Sequence, residues 1–276
     1  MSELFLCSFA SPDLKKSSER FITQSKKINL YKKVKVFGFS DLSEKKKKQI
    51  NSFKKKRLFG YACWKPEIIL NFLNEIPQDS ILQYSDVGCH LNYNGAQRLN
   101  FYKEETLKND YLVFKYTEPD FKIDKELKYQ IYYEYEYTKE DLFKHFKISS
   151  NSKIRNSEQI WSGSMFFKNN SKTINFLNSW LKVCEINNLI DDSPSLEKNN
   201  SAFIEHRHDQ SVFSILCKIN NYKTLSVSEC EWAEDNNGRY WKHLDNFPIL
   251  AKRDKEYNLI KRFLNRQIKN IKRILK

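Results

Sequence analysis

The chain has 276 residues, of which 40% are hydrophobic and 14% are aromatic, and it carries a formal net charge of +14. This length and hydrophobic content exclude an intrinsically disordered chain and allow one large domain or two small ones. The positive charge indicates an anionic partner, which could be nucleic acid, an acidic lipid surface or a phosphorylated small molecule. Part of this charge reflects a general composition that is rich in Lys, Asn and Ile.

The sequence gives no sign of membrane insertion, secretion or a disulfide framework. No segment approaches the roughly 18 consecutive apolar residues of a membrane span, and the N-terminal ten residues lack the pattern of a signal peptide. We therefore expect a cytoplasmic protein. The cysteines lack CxxC and CxxH spacing, so we expect them to be reduced and mostly buried rather than zinc ligands. They are Cys7, Cys63, Cys89, Cys184, Cys217 and Cys230.

The N-terminal part of the sequence predicts a βαβ unit. Leu4 to Ala10 is an apolar run that predicts a first strand, and Lys15 to Leu30 has the mixed pattern of a helix. Val34 to Phe39 alternates between polar and apolar residues and predicts a second strand. Because consecutive strands joined through a helix pair in parallel, this order favours a parallel sheet.

A basic segment follows, from Glu44 to Arg57. Runs of lysine such as this one usually form a solvated helix face. The end of the segment differs, because Arg57, Tyr61, Trp64 and Lys65 cluster before Pro66. Proline is well placed in the first turn of a helix, so we predict a helix over residues 67–75.

The stretch from Ile81 to Asn92 contains the first candidate for a functional residue. A buried strand is predicted to end at Ser85 and Asp86, just before Val87 and Gly88. Ligands gather at the carboxyl ends of parallel strands in α/β sheets, which makes Asp86 a candidate binding residue. The alternative is an ordinary turn aspartate, since Asp and Gly are both common in turns.

The middle of the chain predicts weaker elements. Residues 94–109 are polar with weak helical character, and Tyr111 to Tyr116 predicts a strand. The alternating tyrosines of residues 129–137 fit a further half-buried strand better than a platform for stacked bases. Residues 138–146 predict a short helix with Thr138 as its N-cap.

Two polar motifs interrupt the apolar pattern further along. Residues 159–168 predict a strand broken at Ser162 and Gly163, and a glycine within a strand often marks the close approach of a ligand or of backbone. Residues 172–186 predict an amphipathic helix. His206 to Gln210 directly precede another apolar helix, predicted over residues 211–217.

The C-terminal segment has the pattern of a basic amphipathic helix. After Tyr257 the sequence has seven basic residues and no acidic residue, and apolar residues recur with helical spacing. Such a helix suits an anionic membrane surface. The alternative is a helix that packs on the domain and exposes its lysines to water. We favour the membrane-surface interpretation.

In its order of motifs the chain resembles bacterial GT-A-type glycosyltransferases of the capsule and lipopolysaccharide kind. The motifs are the basic segment with Trp64-Lys65-Pro66, the strand ending in Asp86-Val87-Gly88-Cys89, the Ile160-Trp161-Ser162-Gly163 strand, and His208-Asp209-Gln210 before a helix. The resemblance covers roughly residues 4–252. It implies an α/β fold with a GT-A-like (Rossmann-like) mixed, mainly parallel sheet flanked by helices. The expected division is a GT-A-like domain over residues 1–252 and the basic amphipathic helix over residues 253–276.

The resemblance also implies a nucleotide-sugar and a divalent metal. In such enzymes a strand-end Asp-x-Asp holds Mn²⁺ or Mg²⁺ against the diphosphate, and the metal neutralises the charge of the leaving group. Asp86 would be the first aspartate of this motif, and Gly88 stands at the place of the second. Either Asp86 binds the metal with help from His90, His243 or water, or the enzyme is metal-independent and uses basic residues such as Arg57 and Lys65.

The remaining site assignments are also carried over from the resemblance. The nucleotide-sugar would contact Ser8, Phe9, Ala10, Arg57, Lys65, Ser85, Asp86 and Gly88. The sugar and acceptor pocket would contain Trp161, Ser162, Gly163 and Gln210. The catalytic residues would be Asp86 and Asp209, with Asp209 as general base on the acceptor hydroxyl if the reaction inverts. The alternative for Asp209 is a helix N-cap.

We therefore expect a nucleotide-sugar-dependent glycosyltransferase that acts on a hydroxyl of a surface polysaccharide, a lipopolysaccharide or a lipid-linked glycan. It would be cytoplasmic, with peripheral contact to the inner face of the membrane. One alternative is a nucleic-acid-binding protein, which the charge favours but no recognisable binding motif supports. Another is a different nucleotide-phosphate-handling transferase, although the sequence has only six glycines and no glycine-rich phosphate loop.

Overall fold

The computed structural model describes residues 2–54, 57–121, 126–252 and 267. The strands are β1 (Leu4–Phe9), β2 (Tyr31–Phe37), β3 (Ile81–Ser85), β4 (His90–Leu91), β5 (Tyr111–Lys115), β6 (Ile160–Lys168), β7 (Thr224–Ser226), β8 (Ala233–Asp235), β9 (Gly238–Tyr240) and β10 (Ile249–Leu250). The helices are α1 (Lys15–Ile28), α2 (Glu44–Ser52), α3 (Leu58–Tyr61), α4 (Lys65–Leu73), α5 (Ala96–Asn109), α6 (Glu134–Tyr137), α7 (Glu140–His145), α8 (Ser171–Cys184), α9 (Asn187–Ile190) and α10 (Asp209–Ile219).

Six of the described strands form a central sheet in the order β2-β1-β3-β6-β5-β7. The pairs β1–β2, β1–β3 and β5–β7 are parallel, whereas β6 is antiparallel to both of its neighbours, β3 and β5. The predicted α/β fold with a mixed, mainly parallel sheet is confirmed. Because β1, β3 and β5 run in one direction, their carboxyl ends lie at the same edge of the sheet, where β6 begins.

Two hydrophobic cores cover the two faces of this sheet. Alternate residues of β1 enter different cores, with Phe5 on one face and Leu6 on the other, as the two-residue period of a strand requires. Helices α4, α8 and α10 cover the Phe5 face, and helices α1 and α5 cover the Leu6 face. Both faces are therefore covered, which explains why every residue of β1 and β3 is buried.

The N-terminal βαβ prediction is confirmed, since β1 and β2 are joined through α1 and pair in parallel. The helix predicted after the basic segment is also present, and Pro66 lies in the first turn of α4. Residues 94–109 are more regular than their polarity indicated. They contain α5, which buries Leu99, Tyr102 and Thr106 at helical spacing.

The solvated-face interpretation of the lysine run is only partly right. Lys46 lies on α2 with 1% of its surface exposed, and its ammonium donates a hydrogen bond to Gln49 Oε1 at 2.8 Å. The other basic residues at the start of the run are more accessible, because α2 turns its remaining faces outward. Position along a charged run therefore did not reveal which lysine is buried.

The strand predicted over residues 129–137 is wrong. This stretch, all of which the structure describes, forms a single β-bridge, at Tyr133, and Glu134–Tyr137 forms the helical turn α6. The reason is that Glu134 turns into the interior. Its carboxylate accepts hydrogen bonds from Thr138 Oγ1 at 2.7 Å and Lys218 Nζ at 2.8 Å, and from Ser214. A continued strand could not deliver this carboxylate to those donors.

The predicted cap at Thr138 is wrong for the same reason. The Thr138 hydroxyl is used by Glu134, and α7 begins two residues later, after Lys139, without a side-chain cap. In the part of the chain that the structure describes, no helix combines the length and the apolarity needed to cross a membrane. The helix predicted over residues 253–276 lies outside the described residues, apart from residue 267.

Candidate functional site

Asp86 is the first residue beyond β3 and lies at the carboxyl edge of the sheet. Its backbone N–H donates to the Gly163 carbonyl at 2.8 Å, and its Oδ1 accepts a hydrogen bond from the Tyr84 hydroxyl at 2.6 Å. The preceding Ser85 is fully buried, whereas 45% of the Asp86 side chain is exposed. The sheet therefore presents one fixed and accessible carboxylate at this edge.

A buried lysine lies directly behind Asp86. Lys65, the first residue of α4, is 3% exposed, and its ammonium lies 3.4 Å from Asp86 Oδ1 and 2.9 Å from Asp209 Oδ2. It also donates hydrogen bonds to the Ser162 carbonyl at 3.0 Å and to Ser162 Oγ at 3.3 Å. Burial acts to lower the pKa of Lys65, but the two carboxylates outweigh burial and raise it. The ammonium is therefore charged and shared between two aspartates.

Asp209 is the buried member of this group. It is the first residue of α10, its side chain is 4% exposed, and its Oδ2 accepts hydrogen bonds from Lys65 and from Ser162 Oγ at 3.0 Å. Burial raises the pKa of Asp209, although Lys65 opposes this effect. The N-cap alternative fails, because the helix begins at Asp209 and His208 precedes it at the cap position.

A bulge at the start of β6 directs Ser162 toward Lys65. Against β5, the register of β6 shifts between Val113, which pairs with Met165, and Phe114, which pairs with Trp161. A Cβ atom on Gly163 would lie 2.2 Å from atoms of the Trp161 indole, so the close approach predicted at this glycine is made by that indole. The bulge thus turns the Ser162 carbonyl and hydroxyl to the ammonium.

Gln210 connects this bulge to α10. Its Oε1 accepts from the Ser162 backbone N–H at 3.4 Å, and its Nε2 donates to Gln159 Oε1 at 2.7 Å. Gln210 and Trp161 are both buried. The structure therefore brings together Lys65, Asp86, Ser162, Asp209 and Gln210 from four separate parts of the chain.

The residues predicted at the end of β1 lie beside this group, mostly beneath the surface. The Ser8 hydroxyl donates to the Ser85 carbonyl at 2.6 Å, and the Ser85 hydroxyl lies 2.6 Å from that of Ser164. Phe9 is buried and stacks on Trp64 with ring centroids 3.9 Å apart. These side chains fix the strand ends. Ala10 and Gly88 are half-buried.

Arg57 does not belong to the Lys65 group. Its guanidinium is partly exposed, and it lies 3.0 Å from Glu205 Oε2 and 3.6 Å from Asp192 Oδ1. These ion pairs connect the chain before α3 to the segment between α9 and α10. The basic cluster predicted around Arg57 and Lys65 is therefore two separate groups.

The turn between Arg57 and Lys65 has an unusual backbone. Residues 58–62 all have positive φ, from 48° at Leu58 to 85° at Gly60. This left-handed conformation costs about 1–2 kcal/mol for each non-glycine residue, so surrounding contacts must hold it. Trp64 Nε1 donates to the Phe59 carbonyl at 3.1 Å, and the Tyr61 hydroxyl lies 3.5 Å from Asp192. The turn delivers Lys65 to the start of α4.

Two residues near Asp86 were not predicted from the sequence. Tyr84 lies two residues before Asp86 on the same face of the strand, a spacing that could have indicated it. Arg20, on α1, donates hydrogen bonds to the Val87 carbonyl at 2.7 Å and the Cys89 carbonyl at 3.2 Å. Arg20 thus holds the turn that follows Asp86, and no local signal marks it because the contacts span more than sixty residues.

His243 has the bonding pattern of a histidine with one available ring nitrogen. Its Nε2 lies 3.2 Å from the Ser228 and Glu231 carbonyls, so the ring proton is on Nε2. Its Nδ1 is buried and has no hydrogen-bond partner among the described residues. Burial lowers the pKa of His243, which keeps the ring neutral. Metal-ligating histidines commonly donate their other N–H to a carbonyl in this way.

The described residues contain no group of three or more His, Cys, Asp or Glu side chains that could hold a metal ion by themselves. The predicted ligands Asp86 and His243 would supply two protein donors at most. Mg²⁺ is commonly held by one or two carboxylates together with substrate phosphates and water. Two such donors do not make a closed metal site by themselves, and a metal held there would need phosphate oxygens and water for its remaining ligands.

No protein-family model matches the chain, and no curated protein matches it in sequence. Among solved structures, it is similar to apo mouse xyloside xylosyltransferase 1, with a TM-score of 0.43 and 9% identity over 83% of this chain and 87% of that one. It is also similar to a glycosyltransferase involved in glycosylation of the major capsid of PBCV-1, with a TM-score of 0.46 and 8% identity over 90% and 91%. Similarity this distant does not assign an activity.

Proposed function

We propose that the chain is a nucleotide-sugar-dependent glycosyltransferase. The observation that supports this proposal is the charged group at the carboxyl edge of the sheet, where one buried ammonium is shared by Asp86 and Asp209. A buried ion group is weak evidence for stability, because removing charges from water opposes folding. Its position at the edge where α/β sheets bind ligands favours a functional role.

In this proposal the donor diphosphate lies next to Asp86, over the ends of β1 and β3. Ala10 and Gly88, which are half-buried, would border this place. Ser8, Phe9 and Ser85 would not contact the diphosphate directly, because they lie beneath the surface and hold the ends of β1 and β3 in place. Lys65 offsets part of the negative charge at the site as the diphosphate leaves. Trp161, Ser162, Gly163 and Gln210 are buried, so they would support the side of the site that binds the sugar and the acceptor from beneath its surface.

A divalent metal is part of the proposal. Asp86 and His243 would hold it, since one offers an accessible carboxylate and the other an unpaired ring nitrogen. When bound with the donor, Mn²⁺ or Mg²⁺ would neutralise charge on the leaving nucleoside diphosphate. The two side chains leave room in the coordination sphere for phosphate oxygens.

We assign Asp209 a positioning role in place of the general-base role predicted from the sequence. A general base must contact the acceptor hydroxyl, and Asp209 is 4% exposed with its Oδ2 already used by Lys65 and Ser162. Asp209→Asn should lower kcat and leave the acidic limb of the pH profile in place. Loss of that limb would instead restore the general-base assignment.

The test of the proposal is a thermal-shift screen of the purified chain against nucleoside diphosphates and nucleotide-sugars, with and without Mn²⁺. A ligand at 100 times its Kd should stabilise the folded state by about 2.7 kcal/mol. We expect one nucleotide to raise the Tm, more strongly with Mn²⁺, and Asp86→Asn to abolish the effect. The matched control is Asp79→Asn, because Asp79 precedes β3 at the opposite edge of the sheet and its side chain is 64% exposed.

The same screen can also contradict the proposal. If no nucleotide or nucleotide-sugar changes the Tm of the wild-type chain, the glycosyltransferase proposal fails. A positive screen would be followed by an assay for nucleoside diphosphate release with the stabilising donor, in which Asp86→Asn should lower the rate by about 100-fold or more.

The acceptor and the location of the reaction are further parts of the proposal. The acceptor would be a hydroxyl of a surface polysaccharide, a lipopolysaccharide or a lipid-linked glycan. Residues 253–276, with their excess of basic side chains, would bring the enzyme to an anionic inner membrane surface. We expect the chain to float with phosphatidylserine vesicles and not with phosphatidylcholine vesicles. Equal flotation with both, or with neither, would count against this membrane contact.

A further inference from the structure

Arg207 lies just before α10 in a cluster of tyrosines. Its guanidinium carbon is 4.0 Å from the ring centroid of Tyr132, 4.1 Å from that of Tyr137 and 5.8 Å from that of Tyr116. The residue is half-buried. Contact with aromatic faces attracts the cation and limits the conformations of its long side chain. The guanidinium is therefore held in place by the rings.

The N–H donors of this guanidinium make no hydrogen bond and no ion pair with any residue that the structure describes. Two other arginines, the half-buried Arg98 and the buried Arg155, differ in this respect. Arg98 donates to both oxygens of Glu229 at 2.8 and 2.6 Å, and Arg155 donates to both oxygens of Glu140 at 2.6 Å. The Arg207 guanidinium lies against two tyrosine rings and has no carboxylate within ion-pair distance among the described residues.

A short series of contacts connects Arg207 to the Lys65 group. The Gln210 backbone N–H donates to the Arg207 carbonyl at 3.0 Å, and the Gln210 side chain donates to Gln159. The Gln159 backbone N–H in turn donates to the Tyr132 carbonyl at 2.7 Å. Arg207 is thus attached to the same bulge and the same helix start that hold Lys65 and Asp209.

We propose that Arg207 binds an oxyanion, a carboxylate or a phosphate, carried by the acceptor of the transfer. This inference rests on the glycosyltransferase function proposed above and specifies its substrate class as a hydroxylated, negatively charged acceptor. The planar guanidinium fork matches two oxygens of such a group. Partial burial among the tyrosines strengthens the attraction, and the rings offer apolar faces for the sugar that bears the charge.

The experiment uses small probes with the full-length chain. Glucuronate supplies the carboxylate, glucose 6-phosphate supplies the phosphate, and neutral glucose is the control for the sugar alone. Binding is measured by titration followed through thermal shift and through the arginine Nε–Hε signals in NMR. The variants are Arg207→Gln and, as a matched control, Arg239→Gln, because Arg239 also lies on an aromatic ring, 4.4 Å from Trp232.

We expect at least one charged probe to bind more tightly than glucose, and Arg207→Gln to weaken that probe by about tenfold or more. Arg239→Gln should bind the charged probe as tightly as the wild type does. The Tm shift that nucleotides cause should be the same in Arg207→Gln as in the wild type. Preference for glucuronate over glucose 6-phosphate would assign a carboxylate, and the reverse preference a phosphate.

Two results would overturn the inference. One is equal binding of charged and neutral probes by the wild type, and the other is unchanged binding of the charged probe by Arg207→Gln. If Arg207→Gln does not fold, the wild-type NMR titration decides, because the Arg207 Nε–Hε signal must then shift with the charged probe and not with glucose. If a charged probe binds only when Arg207 is present, but no nucleotide binds to the chain, the anion site stands and the transferase function is rejected.

Discussion

At the scale of single residues, Lys65 is the centre of the candidate site. Its burial is explained by its contacts, since two carboxylates and the Ser162 oxygens surround the ammonium. The arrangement is asymmetric, because the Asp86 carboxylate remains accessible to solvent, whereas the negative charge of the buried Asp209 carboxylate is balanced by the Lys65 ammonium. Removal of the lysine therefore affects the two aspartates differently.

Lys65→Met should destabilise the chain by about 3–5 kcal/mol, because it leaves the buried Asp209 carboxylate without its cation. The free energy of unfolding in urea at neutral pH measures this effect. The control is Lys172→Met, which removes a surface ion pair with Asp110 from a lysine that is 68% exposed and should change stability by less than about 1 kcal/mol.

The double variant Lys65→Met with Asp209→Leu should recover part of the loss, since it removes both charges. A Lys65→Met variant as stable as the Lys172→Met control would show that the ammonium does not compensate Asp209. It would also remove the physical basis for assigning Asp209 a positioning role.

At the scale of structural elements, two irregular segments shape the site. The left-handed turn over residues 58–62 leads into α4, and the bulge in β6 directs Ser162 inward. Both depart from regular geometry at the carboxyl edge of the sheet. Strained backbone persists only where surrounding contacts hold it, and here aromatic side chains provide those contacts.

Gly60→Ala should destabilise the chain by about 2 kcal/mol or more, since the new side chain meets both strain and a clash. Gly60 has a φ of +85°, and a Cβ atom there would lie 2.8 Å from Ile50 Cγ1. The matched control is Gly38→Ala, where φ is −125° and the nearest contact of the new Cβ is 3.7 Å. Thermal unfolding of both variants is the measurement.

Gly38→Ala should be neutral or slightly stabilising. Alanine can adopt the backbone conformation of the folded state at this position, and it reduces the conformational freedom of the unfolded chain. If Gly60→Ala is as stable as Gly38→Ala, neither the positive φ nor the contact with Ile50 restricts the residue at position 60.

At the scale of the whole molecule, buried histidines make stability depend on pH. His206 Nε2 lies 2.9 Å from the Leu189 carbonyl and His208 Nδ1 lies 2.8 Å from the Ile190 carbonyl, so both rings secure α9 to the start of α10. Burial lowers the pKa of both, that of His206 well below its usual value. Between the folded pKa and about 6.5, the unfolded chain binds protons that the folded chain does not.

The free energy of unfolding should therefore fall as the pH drops below about 6.5, by up to about 1.4 kcal/mol per pH unit for each histidine. Urea unfolding at several pH values from 7.5 to 5 measures this slope. His206→Gln keeps a donor and an acceptor and should reduce the slope, whereas His145→Gln, at an exposed position on α7, should leave it unchanged. An identical slope in all three proteins would contradict a neutral, buried His206.

The sequence by itself determined the elements whose burial follows a regular period. The βαβ start, β3 and α10 were predictable because apolar residues alternate along strands and recur along helices. The strand-end position of Asp86 followed from the same pattern, as did the burial of all six cysteines. Such features depend on neighbours in the chain, so local sequence is sufficient to find them.

The tertiary structure decided which polar residues meet. Lys65, Asp86 and Asp209 come from three distant parts of the chain, and their contact depends on the left-handed turn and the β6 bulge, which periodicity does not encode. Glu134 shows the same limit, because its buried hydrogen bonds overrode the strand pattern of its tyrosine-rich segment. Burial follows from local hydrophobic pattern, whereas the pairing of charges depends on the path of the whole chain in space.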